Sequence, residues 1–153
     1  MAVQRTAIER LYPQVRWINT QTVARWLEGP EASRPVLLDA READEYTVSH
    51  LAGARRIDPD TTSFDDLNLR PGARIVVYCS VGWRSGAVAD RLREAGYTDA
   101  YNLEGGIFKW ANEDRELRRA GPSRGASESA DKVHPYDAVW GRMLDSDRRA
   151  PLP

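Results

Sequence analysis

The sequence has little that is soft or sulfur-bearing: one cysteine, two histidines, two methionines and two phenylalanines in 153 residues. A lone cysteine rules out an intrachain disulfide and suits a reducing compartment. Because His50 and His134 stand far apart, no zinc-ligand spacing can be assembled from them. Charge of one sign is missing as well, since 22 Lys and Arg face 23 Asp and Glu for a formal net charge of −1. That balance gives no electrostatic case for a nucleic-acid partner or an anionic membrane surface. Long apolar runs are absent too. Residues 1–17 are interrupted by Gln4, Arg5, Glu9, Arg10 and Pro13, and offer no stretch fit for a signal peptide. Nothing elsewhere approaches the length of a membrane span, so the expected address is the cytoplasm.

What the sequence does have is alternation. Short apolar runs at Val36-Leu37-Leu38-Asp39 and Arg74 to Cys79 read as strands buried on both faces, with weaker candidates at Ala54 to Ile57 and Ala100 to Leu103. Between them lie helical patterns. Asn19 to Leu27 carries Val23, Trp26 and Leu27 on an apolar stripe, Glu42 to Val48 is a short acidic helix, and Ser85 to Ala95 places Val88, Leu92 and Ala95 on one face before Gly96. Strand–helix alternation predicts an α/β fold, a short mainly parallel central sheet with helices on both faces. The expected organisation is an N-terminal extension (1–17), one domain (18–119), a Gly/Pro/Ser-rich flexible linker (120–131), and a C-terminal segment (132–153). That last segment, with Val133, Tyr136, Val139, Trp140 and Leu144, is too apolar for a loose tail and should pack on the domain or on a second subunit.

Chemistry concentrates at the end of the second confident strand. Ile75-Val76-Val77-Tyr78 delivers Cys79 to the loop Ser80-Val81-Gly82-Trp83-Arg84, and Ser85 opens a helix. A sulfur there faces backbone amides, the positive end of a helix dipole and a guanidinium, all of which favour a thiolate. A buried core cysteine would not ordinarily be followed at once by Ser, Gly and Arg. The amides of Ser80 to Ser85 are expected to curl into an anion-holding nest, suited to a thiolate or to a persulfide one sulfur further out.

The segment Cys79-Ser80-Val81-Gly82-Trp83-Arg84-Ser85, its helix, and then Gly96-Tyr97-Thr98-Asp99-Ala100-Tyr101-Asn102-Leu103-Glu104-Gly105-Gly106 resemble a single-domain rhodanese. Leu37-Leu38-Asp39-Ala40-Arg41-Glu42 and His50-Leu51-Ala52-Gly53-Ala54 are similar to that family's upstream signature. The resemblance implies a sulfurtransferase of double-displacement type needing no cofactor and no metal. A donor of the thiosulfate or protein-persulfide kind would load Cys79, and cyanide or a thiol, on a small molecule or a protein partner, would take the sulfur away. Related phosphatases and arsenate reductases have one residue more between Cys and Arg than the four here, so an oxyanion cradle is disfavoured. Many thiosulfate-using members carry a basic residue directly after the cysteine. This chain has Ser80, which predicts poor use of a doubly charged donor. The alternative from another class is a non-catalytic sulfur-relay or regulatory module whose partner docks at a Trp83 rim.

Other residues have plainer readings beside functional ones. Trp83 is either an apolar wall of the pocket or packing for a neighbouring loop. Asp39 and Arg41 either orient Arg84 or form a cap and ion pair of their own, and Arg84 either helps bind an anionic donor, as the resemblance implies, or makes a structural pair for which Asp39 is a candidate. Gly105-Gly106 either lets a backbone approach the active loop or makes a plain turn. Glu42, Asp44 and Glu45 read as a solvated first helical turn. Trp17, Trp26, Trp110 and Trp140 are expected to serve as core or partner-facing anchors.

Overall fold

The two apolar runs form the centre of a parallel sheet in the computed structural model, which describes residues 2–153. Strand β2 (Val36–Asp39) lies beside β4 (Ile75–Tyr78), with Leu37 opposite Val76 and Asp39 opposite Tyr78. β5 (Ala100–Leu103) pairs outside β4, β1 (Arg16–Ile18) outside β5, and β3 (Arg55–Arg56) outside β2. All these pairings are parallel, in the order β1-β5-β4-β2-β3. Successive side chains enter opposite cores. Leu37, Val76 and Tyr78 join one apolar cluster, while Leu38, Ile75 and Val77 join the other. A run apolar at every position is what a strand covered on both faces requires. Leu38 is wholly buried, so Leu38→Ala would cost roughly 2–5 kcal/mol.

Five helices dress the sheet: α1 (Ala2–Leu11), α2 (Thr20–Glu28), α3 (Ala43–Val48), α4 (Trp83–Glu94) and α5 (Gly106–Asn112). α2 and α5 pack Val23, Ile107, Phe108 and Trp110 on one face, and α4 packs Val88, Ala89 and Leu92 on the other. Asn19 starts α2 by accepting from the Thr22 amide at 2.7 Å. Glu42 and Glu45 close a reciprocal capping box on α3. Each predicted strand is present, Ala54 to Ile57 shortened to two residues and Arg74 to Cys79 to four. The cysteine helix begins at Trp83, two residues earlier than its apolar period suggests, because Gly82 takes φ +118° and turns the chain at once. Strand β1 and helix α5 were not expected from the pattern.

The topology fixes the location of a site. From β2 the chain moves through α3 to β3 on one side; from β4 it moves through α4 to β5 on the other. The carboxyl ends of β2 and β4 therefore flank a crevice where the connections diverge, the place where open parallel sheets bind ligands.

The Gly/Pro/Ser-rich stretch differs from the flexible linker expected of it. Much of it forms an antiparallel hairpin of β6 (Leu117–Ala120) and β7 (Ser127–Ala130). Its composition is polar because both strands face water on one side, where Arg119 pairs with Glu128 at 2.7 Å. Leu117 is buried, and the His50 and Arg118 backbones exchange two hydrogen bonds of 2.8 Å that tie the hairpin to the domain. Residues 132–153 fold back onto the same unit. Val133 and Leu144 are wholly buried in the first core, and Ser49 donates to the Lys132 carbonyl at 2.7 Å. Among the described residues no helix is long and apolar enough to cross a membrane.

Candidate active site

Cys79 leaves β4 at the crevice and is only 2% exposed. Two glycines make its position possible. Gly82, at φ +118°, turns the chain into α4, and a Cβ there would touch Ile8 and Asn102. Gly106, at φ +58°, lets the start of α5 lie directly on the loop, since a Cβ would come within 2.6 Å of the Cys79 carbonyl oxygen. The amides of Ile107 and Phe108 then donate to the carbonyls of Cys79 and Ser80 at 3.0 and 3.2 Å. The close-approach reading of Gly105-Gly106 is therefore the one the structure shows, at Gly106.

Two donors converge on the sulfur. The Gly82 amide lies 3.1 Å from Sγ, and the Ser85 hydroxyl lies 3.3 Å from it. Ser85 also lies 2.7 Å from Asn102 Oδ1, and Asn102 is held by its own donation to the Gly82 carbonyl at 3.1 Å. Ser85 has one proton for two acceptors, so a charged sulfur can draw it from Asn102 without any heavy atom moving. The expected nest of successive amides thus narrows to Gly82, supplemented by a hydroxyl and the first turn of the twelve-residue α4.

Arg84 is not paired with Asp39. Its guanidinium forks onto Glu45, Nη1 to Oε2 at 2.7 Å and Nη2 to Oε1 at 2.9 Å. Nη2 also donates to Ser80 Oγ at 3.0 Å, and the Ser80 hydroxyl donates to Glu45 at 3.3 Å. Glu45 is therefore no solvated residue: it is 1% exposed, and its α3 is joined to α4 across the crevice. Burial alone would raise the Glu45 carboxyl, but hydrogen bonds and charge from Arg84 hold it below the ordinary carboxylate range. Burial likewise opposes the Arg84 charge, and Glu45 together with the nearby Cys79 sulfur carries it above the ordinary arginine value. Ser80, 4% exposed, is a member of this network.

Asp39 and Arg41 pair with each other instead. Nε and Nη2 of Arg41 reach the two Asp39 oxygens at 2.9 and 2.7 Å, and Nη2 donates to the Ser49 carbonyl. Both side chains are wholly buried. They hold the end of β2 against the loop before β3, beside Tyr78, whose hydroxyl is pushed well above its usual pKa by burial and by Asp39. The ion-pair half of the plainer reading describes them, the cap of α3 being Glu42 and not Asp39, and neither lines the cavity over Cys79.

That cavity, about 350 Å³, is bordered by Cys79, Ser80 and Val81 together with Trp83, Arg84, Tyr136 and Trp140. Trp83 is thus a wall of the pocket. Tyr136 and Trp140 come from the C-terminal segment. The Arg84 guanidinium sits over the Tyr136 ring at 4.9 Å. Of the other anchors, Trp110 is core and donates to the Glu116 carbonyl at 2.8 Å. Both histidines lie outside the cavity lining. His50 donates to the Tyr46 carbonyl at 3.1 Å and stacks on that ring, and His134 Nε2 is 3.5 Å from Asp44. Among the described residues no cluster of three or more His, Cys, Asp or Glu side chains is gathered as for a metal ion.

A parallel α/β sheet with a buried thiol at a strand–loop–helix junction, beneath a cavity, defines a class of cysteine-centred α/β proteins. Within it, this chain belongs to the Rhodanese-like domain family, whose model matches residues 20–113. It is 38% identical over 74 residues to YqhL of Bacillus subtilis (strain 168), covering 48% of this chain and 59% of that protein. A tRNA uridine(34) hydroxylase of Erwinia tasmaniensis is 33% identical over 106 residues, 65% of this chain and 29% of the relative. The probable adenylyltransferase/sulfurtransferase MoeZ of Mycobacterium tuberculosis (strain H37Rv) is 32% identical over 98 residues, 63% of this chain and 24% of the relative. The chain thus spans less than two thirds of these proteins. Among solved structures, the thiosulfate sulfurtransferase of Pseudomonas aeruginosa shares the fold at TM-score 0.63 and 22% identity, over 74% of this chain and 22% of that one. A rhodanese-like domain protein of Staphylococcus aureus gives 0.55 and 29%, over 63% and 91%.

Proposed function

We propose that the protein is a sulfurtransferase in which Cys79 is nucleophile and sulfur carrier. The thiolate attacks the outer, sulfane sulfur of a donor; the donor's S–S bond breaks, and its remaining half leaves with the bonding electron pair. With thiosulfate the leaving group is sulfite. A thiolate acceptor, or cyanide, then attacks the outer sulfur of the Cys79 persulfide, and the Cys79 thiolate is released unchanged. Oxidation levels balance without any further reactant.

The observation that carries this reading is the pair of donors on Sγ, the Gly82 amide and the Ser85 hydroxyl, at the head of α4. They suit an anionic sulfur before loading and an anionic persulfide after it. Arg84 acts as a positioning residue: its fork to Glu45 fixes α4 and Ser80 around the loop. The name of MoeZ includes a sulfurtransferase, which supports the same chemistry. In this chain a single thiol, with no second cysteine to bridge to, suits work in a reducing cytoplasm.

The test is intact-protein mass after incubation with thiosulfate or a protein persulfide, beside Cys79→Ser, followed by a cyanide chase assayed as thiocyanate. Wild type should gain one sulfur atom and return it as thiocyanate, while the variant gains none. Loading of neither protein by either donor would defeat the proposal.

A further inference from the structure

Resting on the transfer reading above, we infer that Cys79 takes its sulfur from an organic sulfane donor with an apolar, ring-sized body, selected over thiosulfate by Tyr136 and Trp140. Three observations converge on this. First, among the described residues Arg84 is the only charged side chain bordering the cavity, and its charge is already matched one to one by the buried Glu45 fork. The Tyr136 ring lies against the same guanidinium. A dianion entering here would lose its hydration and meet no unmatched cation, which is the costly case for a buried charge.

Second, the walls are built for rings. Trp83, Tyr136 and Trp140 border a space of about 350 Å³, far more than thiosulfate fills and enough for a small aromatic or branched body beside the sulfur. Third, two of these walls are held in place by a segment that lies outside the family match of residues 20–113. Asp137 Oδ1 accepts from the Val139 and Trp140 amides at 2.9 and 2.7 Å, and Gly141 packs so closely that a Cβ would come within 2.8 Å of Pro135. His134 Nδ1 accepts from the Tyr136 amide at 3.0 Å while its Nε2 faces Asp44 on α3. The aromatic pair is thus fixed over Cys79 before any ligand arrives.

The step itself is balanced. The Cys79 thiolate attacks the outer sulfur of an organic thiosulfonate, R–SO2–S⁻; the S–S bond breaks, the sulfinate R–SO2⁻ departs with the electron pair, and Cys79 keeps the sulfur as a persulfide anion.

The experiment compares benzenethiosulfonate, methanethiosulfonate and thiosulfate as donors to the full chain, with cyanide as acceptor and mass spectrometry confirming the loaded cysteine. Each kcat/KM is divided by the donor's uncatalysed rate with a small thiol, which removes leaving-group reactivity. The two thiosulfonates share a charge and differ in body, so their ratio reads the walls alone. Benzenethiosulfonate should exceed methanethiosulfonate by about tenfold or more, with thiosulfate lowest. Trp140→Ala and Tyr136→Ala should each shrink the benzene-to-methane ratio; if Trp140→Ala does not fold, Trp140→Leu and Tyr136→Ala carry the comparison. Thiosulfate matching the aryl donor, or a ratio unchanged in the folded variants, would overturn the inference while leaving sulfur transfer intact. No loading from any of the three donors would overturn both.

Discussion

Two arginine–carboxylate forks, whose acids stand a few residues apart in the chain, serve different ends. Asp39–Arg41 is sealed, with both side chains at zero exposure, and it joins the end of β2 to the loop that follows. Glu45–Arg84 has the same bidentate chemistry, yet Arg84 is 23% exposed and borders the cavity over Cys79. The first locks one stretch of backbone to itself. The second joins two helices that leave the sheet in opposite directions, and so sets the width of the crevice. An ion pair's role here is decided by what lies beyond it: packed protein in one case, ligand space in the other.

That contrast can be broken by experiment. The largest expected effect is from Asp39→Asn, which strands a wholly buried guanidinium and should cost about 3–5 kcal/mol in denaturant unfolding. A loss under about 1 kcal/mol would remove the distinction between the two pairs. Glu45→Gln should cost less, about 1–2 kcal/mol, because Arg84 can turn toward solvent. Its signature is instead in specificity: with the Arg84 charge freed, kcat/KM for thiosulfate should rise relative to an aryl thiosulfonate by about tenfold. An unaltered donor ratio would mean the fork is structural only.

The pH dependence separates the pairs further. The folded Glu45 carboxyl lies below its ordinary value of about 4.3. Its contribution to stability is therefore complete above that value and fades as pH falls through the lower folded one. The stability gap between wild type and Glu45→Gln should be flat from about pH 5 to 8 and close under more acid conditions. Unfolding curves that show the same gap at about pH 3 as at neutrality would count against this account. Smallest is Tyr136→Ala. With Tyr136 47% exposed, its contact with Arg84 should contribute under about 1 kcal/mol to folding, even where donor preference shifts.

How much of this was legible in the sequence depends on how local the cause was. β2 matches the run read for it residue for residue and β4 lies one residue inside each end of its own, because β-branched and aliphatic side chains buried on both faces leave an apolar signature. β5 matches its run although Asn102 interrupts it. The thiol at a strand–helix junction was equally plain, since Gly82 and the apolar run are neighbours of Cys79. Glu45 was not. An acidic residue in a first helical turn has the same sequence signature whether water or an arginine faces it, and its partner is supplied by a helix 39 positions away. Asp39 misled for a related reason: it sits at the right strand end, but Arg41, two residues on, satisfies it first. The hairpin of β6 and β7 was hidden by solvent-facing composition, and β1 by being three residues long. Tyr136 and Trp140 announced burial of some kind, while their place over Cys79 depends on how residues 132–153 fold back.

Ile8 carries a consequence for how the molecule can be cut. It is wholly buried in α1, and its methyl groups would lie 3.4 Å from a Cβ on Gly82, in contact, and 2.9 Å from one on Gly86, in collision. The N-terminal helix is therefore the underside of the cysteine loop, as the C-terminal segment is its rim. A chain trimmed to residues 20–113 would keep every motif of its family and lose the ground beneath the loop together with two walls above it. The boundary at which the family match ends and the boundary at which the candidate site ends are different lines in this protein, and the second encloses more.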